Sequence, residues 1–80
     1  MNVSVTCARM DSERFEGWEL KLRARGVKVT SGVQPFGARD FVLRYKGEKA
    51  VVVLYPHRGN IVTVPAAIAE IIRETGMGLT

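Results

Sequence analysis

Apolar and polar positions alternate at the start of this chain, and the period changes beyond it. In "NVSVTC", residues 2–7, Val3, Val5 and Cys7 fall on one parity and Asn2, Ser4 and Thr6 on the other, the pattern of a strand with one buried face. Asp11 then stands as an N-cap, and Phe15, Trp18 and Leu22 follow at helical spacing until Gly26 stops the run. A rival reading exists here. Trp18, Leu20, Leu22 and Ala24 also alternate, and Gly17 weakens a helix, so a strand over 18–24 competes with a helix over 11–25. The cap, the acids near the start and the basic residues near the end favour the helix.

After Gly26 the spacing predicts a short strand "VKVT", an irregular loop "SGVQPFG", and a strand in "RDFVLRYK" with Phe41, Leu43 and Tyr45 on one face. "KGEK" at 46–49 reads as a tight hairpin turn, "AVVVLY" as the next strand, "PHRGN" as its turn and "IVTV" as the last strand. Pro65 opens a helix running towards Gly76, with Ile68, Ile71 and Ile72 as its buried stripe, and "MGLT" is expected to fray. The order is β-α-β-β-β-β-α. The last four strands are expected to form an antiparallel meander with both helices on one face, an α+β domain covering residues 1–80.

That arrangement leaves one sheet face without cover. The helix-side face takes Val3, Val5, Phe41, Leu43, Tyr45, Val52, Leu54, Val62 and Val64. The other face, by alternation, shows Val42, Arg44, Lys46, Val51, Val53, Tyr55, Ile61 and Thr63. An exposed apolar patch of this kind marks an interaction surface.

Charge sharpens the picture. The net charge is +4, and Asp11, Glu13, Glu16 and Glu19 are gathered in the first helix. Residues 21–58 hold nine Lys and Arg against Asp40 and Glu48, so the middle of the chain is strongly basic. A polyanion partner fits this distribution, and so does plain solubility. The candidate chemistry beyond the surface is thin. His57, the one histidine, falls in a turn and is expected to be solvated, and Cys7, the one cysteine, is expected in the core. No spacing of His, Cys, Asp or Glu suits a metal, no glycine motif suits a phosphate, and no catalytic constellation is apparent, so neither an enzyme nor a cofactor is expected. No run of apolar residues is long enough for a membrane span, and the first residues do not form a signal peptide, so a cytoplasmic protein without a membrane partner is expected.

Residues Asn2 to Met77 resemble one half-repeat of the TATA-box binding protein core. "NVSVT" is similar to the family's first strand. "GVKVTSGVQPFGARDFVLRYKGEKAVVVLY" is similar to the stretch in which a Phe-Pro-Gly loop leads into a strand ending in arginine, followed by a turn and a Val- and Leu-rich strand. "RGNIVTV" resembles the glycine-led last strand, with Thr63 where the family keeps a threonine. The resemblance implies a curved antiparallel sheet whose open face meets nucleic acid. Tyr55 would take the place of one wedging aromatic, with Phe36 near the other. Val53, Ile61 and Thr63 would lie in the minor groove, and Arg44 near a phosphate. The family's core contains two such halves and this chain one, so a homodimer through strand 2–7 would rebuild the longer saddle. Similar single domains form the N-terminal module of type III ribonucleases H, which meets an RNA/DNA hybrid. Two functions are therefore expected to compete. The first is binding of duplex DNA or an RNA/DNA hybrid through Phe36, Val42, Arg44, Lys46, Val51, Val53, Tyr55, Arg58, Ile61 and Thr63. The second is a protein–protein interaction module that uses the same apolar face.

Overall fold

The alternation becomes a two-layer α+β structure in the computed structural model, which describes residues 1–78, with Ser12 described by its backbone alone. The elements are β1 (Asn2–Cys7), α1 (Ser12–Ala24), β2 (Lys28–Val33), a 3-10 turn (Pro35–Gly37), β3 (Arg39–Tyr45), β4 (Glu48–Leu54), β5 (Asn60–Pro65) and α2 (Ala66–Glu74). All strand pairs are antiparallel. The hydrogen-bonded order is β2-β3-β4 in one sheet and β1-β5 in the other. The expected four-stranded meander is thus three strands long: β5 lies beside β4 but takes its ladder from β1, Asn2 opposite Pro65 through Cys7 opposite Asn60. At the turn between β4 and β5, the Asn60 side chain occupies the backbone groups of Tyr55. It accepts from the Tyr55 N–H at 3.2 Å and donates to the Tyr55 carbonyl at 2.9 Å.

Residues 18–24 are helical. Asp11 Oδ1 accepts from the Arg14 N–H at 3.1 Å, as an N-cap does, and Gly26 leaves the helix with φ of 86°. The competing strand fails on burial: Phe15, Trp18 and Leu22 share one buried helical face, while Leu20, which the strand would bury, is exposed. Glu19 is not on the wet face with the other acids. It is nearly buried, and it holds Arg23 at 3.2 Å one turn on.

β2 runs three residues further than the sequence predicts. Ser31, Gly32 and Val33 pair with Phe41, Asp40 and Arg39. Gly32 makes this pairing work, because a Cβ there would lie 2.5 Å from Asp40 Oδ1. The hairpin turn of β3 and β4 is also tighter than 46–49. Tyr45 pairs with Glu48, leaving Lys46 (φ 49°) and Gly47 (φ 79°) as a two-residue turn with both φ positive. Pro65 ends β5 and serves as the residue before α2, and the helix stops at Glu74, with Gly76 at φ 81° behind it.

One core lies between the layers. Val5, Cys7, Phe41, Leu43, Val52, Leu54, Val62 and Val64 come from the strands, Phe15, Trp18 and Leu22 from α1, and Ile68, Ile71 and Ile72 from α2. Trp18 meets Phe41 edge-on with centroids 4.9 Å apart, a favoured aromatic geometry. Val3 and Tyr45, expected in the core, are half-buried against it. Met77, expected to fray, is buried instead. Its carbonyl accepts from the Ala8 N–H at 2.6 Å, and Gly78 forms a bridge with Cys7. Of that expected tail, Leu79 and Thr80 lie outside the described residues. No helix among the described residues is long and apolar enough to cross a membrane.

Candidate functional site

The strand parity that fills the core also fixes what stands on the uncovered face. Val51, Val53, Tyr55 and Ile61 are exposed there, Ile61 by 73%, and Val42 is half-buried among them. The register sets these side chains in cross-strand rows. One row is Thr30, Val42 and Val51, and the next is Gly32, Asp40 and Val53. Towards the 46–47 turn the neighbouring row is Lys28, Arg44 and Lys49, with Lys28 opposite Arg44 and Arg44 opposite Lys49. All three are exposed. Like charges directly opposite one another destabilise a sheet. No side chain among the described residues makes an ion pair with any of the three.

The other end of the face carries aromatics. The Arg58 guanidinium lies 5.3 Å from the Tyr55 ring centroid, within cation–π range, and Asn60 fixes the Tyr55 backbone from behind. The 3-10 turn packs at this end as well, since a Cβ on Gly37 would be 3.3 Å from the Pro56 ring. Phe36 projects from that turn with 93% of its surface exposed and with backbone angles of φ 63° and ψ 27°. An aromatic residue in the left-handed region is a strained one. Val33, next to this turn, is 82% exposed. Across β1 and β5 the face continues as a polar strip, where the hydroxyls of Ser4 and Thr63 are 3.3 Å apart.

Nine of the ten expected site residues therefore lie on the open face or at its Tyr55 end: Phe36, Val42, Arg44, Val51, Val53, Tyr55, Arg58, Ile61 and Thr63. Lys46 is different. Its ammonium is 5.2 Å from the ring centroid of Tyr45, a residue of the core-facing parity, so it belongs to the turn rather than to the cation row. Four contributors escape a reading by sequence. Lys28 and Lys49 count only as charge until the register places them beside Arg44. Asn60 reads as an ordinary turn residue, although it is buried and holds Tyr55. The fourth, Asp40, puts a carboxylate on an otherwise basic and apolar face, and its Oδ1 is buried without a hydrogen-bond partner. Its place in the β3 alternation would have revealed it.

Away from this face the chemistry is sparse. Cys7 is buried, and burial pushes its thiol up to about 11. His57 is exposed in its turn with φ of 62°. Among the described residues no group of His, Cys, Asp and Glu is arranged to hold a metal ion. No family model, no curated protein and no solved structure matches the chain.

Proposed function

We propose that this protein binds nucleic acid, duplex DNA or an RNA/DNA hybrid, through the open face of its sheet. The carrying observation is the row of Lys28, Arg44 and Lys49, three cations held side by side with no acidic partner among the described residues. The fold gains nothing from that row, whereas a phosphate backbone laid across it would neutralise the charges and release counterions. The apolar strip of Val42, Val51, Val53 and Ile61 would lie against sugars and base edges. Tyr55 and Phe36 would serve as the apolar wedges that minor-groove binders insert between base steps. The homodimer that lengthens the saddle would form through β1. The Cys7–Gly78 bridge already occupies the last residue of that strand, so the pairing edge of such a dimer would be Asn2–Thr6.

Fluorescence anisotropy with labelled duplex DNA, RNA/DNA hybrid and single strands at low salt tests this reading. Binding to one of the duplexes is expected. Arg44→Ala and Tyr55→Ala should each weaken it, Arg44→Ala by about 1 kcal/mol or more, in the range of charge-assisted contacts. Absence of binding to every probe would end the proposal.

A second reading rests on Asp40 and on the exposure of Val33 and Phe36. A carboxylate on the face repels phosphate, while a protein partner could satisfy it and cover the apolar groups. This reading expects a dimer or complex by light scattering whose stability barely changes with salt.

A further inference from the structure

The helical layer contains a cleft unrelated to the open sheet face. It lies between α1, the loop after β1 and the segment after α2, and it encloses about 280 Å³. Four of its lining residues, Arg14, Gly17, Trp18 and Lys21, follow one another along α1 at intervals of three, one and three, so they form a single stripe of that helix. Arg9 joins from the loop after β1, and Met10 and Met77 supply apolar wall.

Two independent observations point to a ligand. The first is charge. Arg9, Arg14 and Lys21 line the cleft, no acidic side chain does, and among the described residues none of the three cations uses its side chain in an ion pair or hydrogen bond. Asp11 lines an adjoining hollow together with Arg9, Met10, Arg14 and His57. The second is Gly17. A glycine inside a helix costs about 1 kcal/mol relative to alanine. Here the cost has no packing reason, because a Cβ at position 17 would meet nothing within 4 Å and the backbone is not in the left-handed region. The missing side chain leaves the mouth of the cleft open.

The walls are already fixed. Trp18 Nε1–H donates to Thr75 Oγ1 at 2.9 Å, and that hydroxyl donates in turn to the Ile72 carbonyl at 2.6 Å. The Ala8 N–H to Met77 carbonyl bond ties the opposite side. We propose that this cleft binds a small phosphomonoester with an apolar body. Three cations match the roughly −1.5 to −2 charge of a phosphomonoester better than the single charge of a carboxylate. Guanidinium groups suit its oxygens, and methionine side chains adapt to an apolar body. The volume, just under the roughly 300–1,000 Å³ of drug-sized sites, limits the body to about one ring.

Nitrogen–proton correlation NMR tests the proposal with phenyl phosphate as the probe, and with inorganic phosphate and phenol as its two halves. The single tryptophan gives one indole N–H signal, which reports from the cleft wall. Phenyl phosphate should shift that signal and the amides of Arg9, Arg14 and Lys21 saturably, and bind at least about tenfold tighter than either half, an advantage of about 1.4 kcal/mol. Gly17→Leu should lower the affinity at least tenfold while the thermal midpoint stays at or above that of the parent. Gly17→Ala, which fills less, should give a smaller loss. Arg14→Gln and Lys21→Gln should each weaken binding several-fold. The proposal is overturned by the absence of a saturable shift, by shifts confined to the open sheet face, by inorganic phosphate binding as tightly as phenyl phosphate, or by unchanged affinity in Gly17→Leu.

Discussion

Phe36 concentrates the tension between stability and interaction in one residue. Its ring is almost wholly exposed and its backbone is left-handed, so it contributes little burial and carries strain on the order of 1 kcal/mol or more. Phe36→Gly should therefore raise the urea midpoint and at the same time weaken nucleic-acid binding. A variant that loses stability would show that the ring packs in a way the exposure denies. Thr75 is the converse, a small polar residue that the structure needs. Its hydroxyl accepts from the Trp18 indole and from the Met77 N–H and donates to the Ile72 carbonyl. Thr75→Val leaves those donors unpaired in a buried place and should cost about 1–3 kcal/mol by chemical denaturation. Cys7 gives a pH signature. Because its folded thiol is raised from 9.0 to about 11, its stabilising contribution is complete below pH 9 and is lost as pH rises towards 11. Denaturation midpoints of Cys7→Ala and the parent should differ in their alkaline slope, the parent falling more steeply. The burial of Cys7 follows from the alternation at 2–7, whereas the roles of Phe36 and Thr75 are not visible in the residue names. Those two depend on which atoms the fold brings to within hydrogen-bond reach or leaves in solvent.

At the level of elements, periodicity was informative wherever one face of a segment is buried. The strand 2–7, the stripe of Phe15, Trp18 and Leu22, and the isoleucines of the second helix all read directly from spacing, because burial of one face imposes that spacing. It was ambiguous at 18–24, where Leu20 fits a strand, and the Asp11 cap, the shared burial of Phe15, Trp18 and Leu22 and the exposure of Leu20 decide for a helix. It missed the end of β2, since "SGV" carries turn residues and its pairing depends on a tertiary fit between Gly32 and Asp40. It also missed the docking of Met77, which depends on the distant Ala8. The Gly32–Asp40 fit makes a prediction. Gly32→Ala must drive the Asp40 carboxylate outwards, whereas in an Asp40→Ala background the added methyl meets no such group. A double-mutant cycle in urea should return a coupling of about 0.5–3 kcal/mol, and additive effects would mean the two side chains do not share that space.

At the scale of the whole molecule, two helices cover one side of the strands and no described element covers the other. The sequence showed this imbalance through strand parity, and nine of its ten expected site residues are found on the open face or at its Tyr55 end. It did not show the cation row, because Lys28, Arg44 and Lys49 become neighbours only through the β2-β3-β4 register. That row is the feature on which the nucleic-acid reading stands. Its most direct test is the salt dependence of duplex binding, parent against Arg44→Ala, measured by anisotropy between about 50 mM and 200 mM salt. The affinity of the parent should fall steeply, and the logarithmic slope for B-form DNA should become shallower by about 0.9 in the variant, the value of one lost phosphate contact. Binding that ignores salt, or a slope that Arg44→Ala leaves unchanged, would contradict the account.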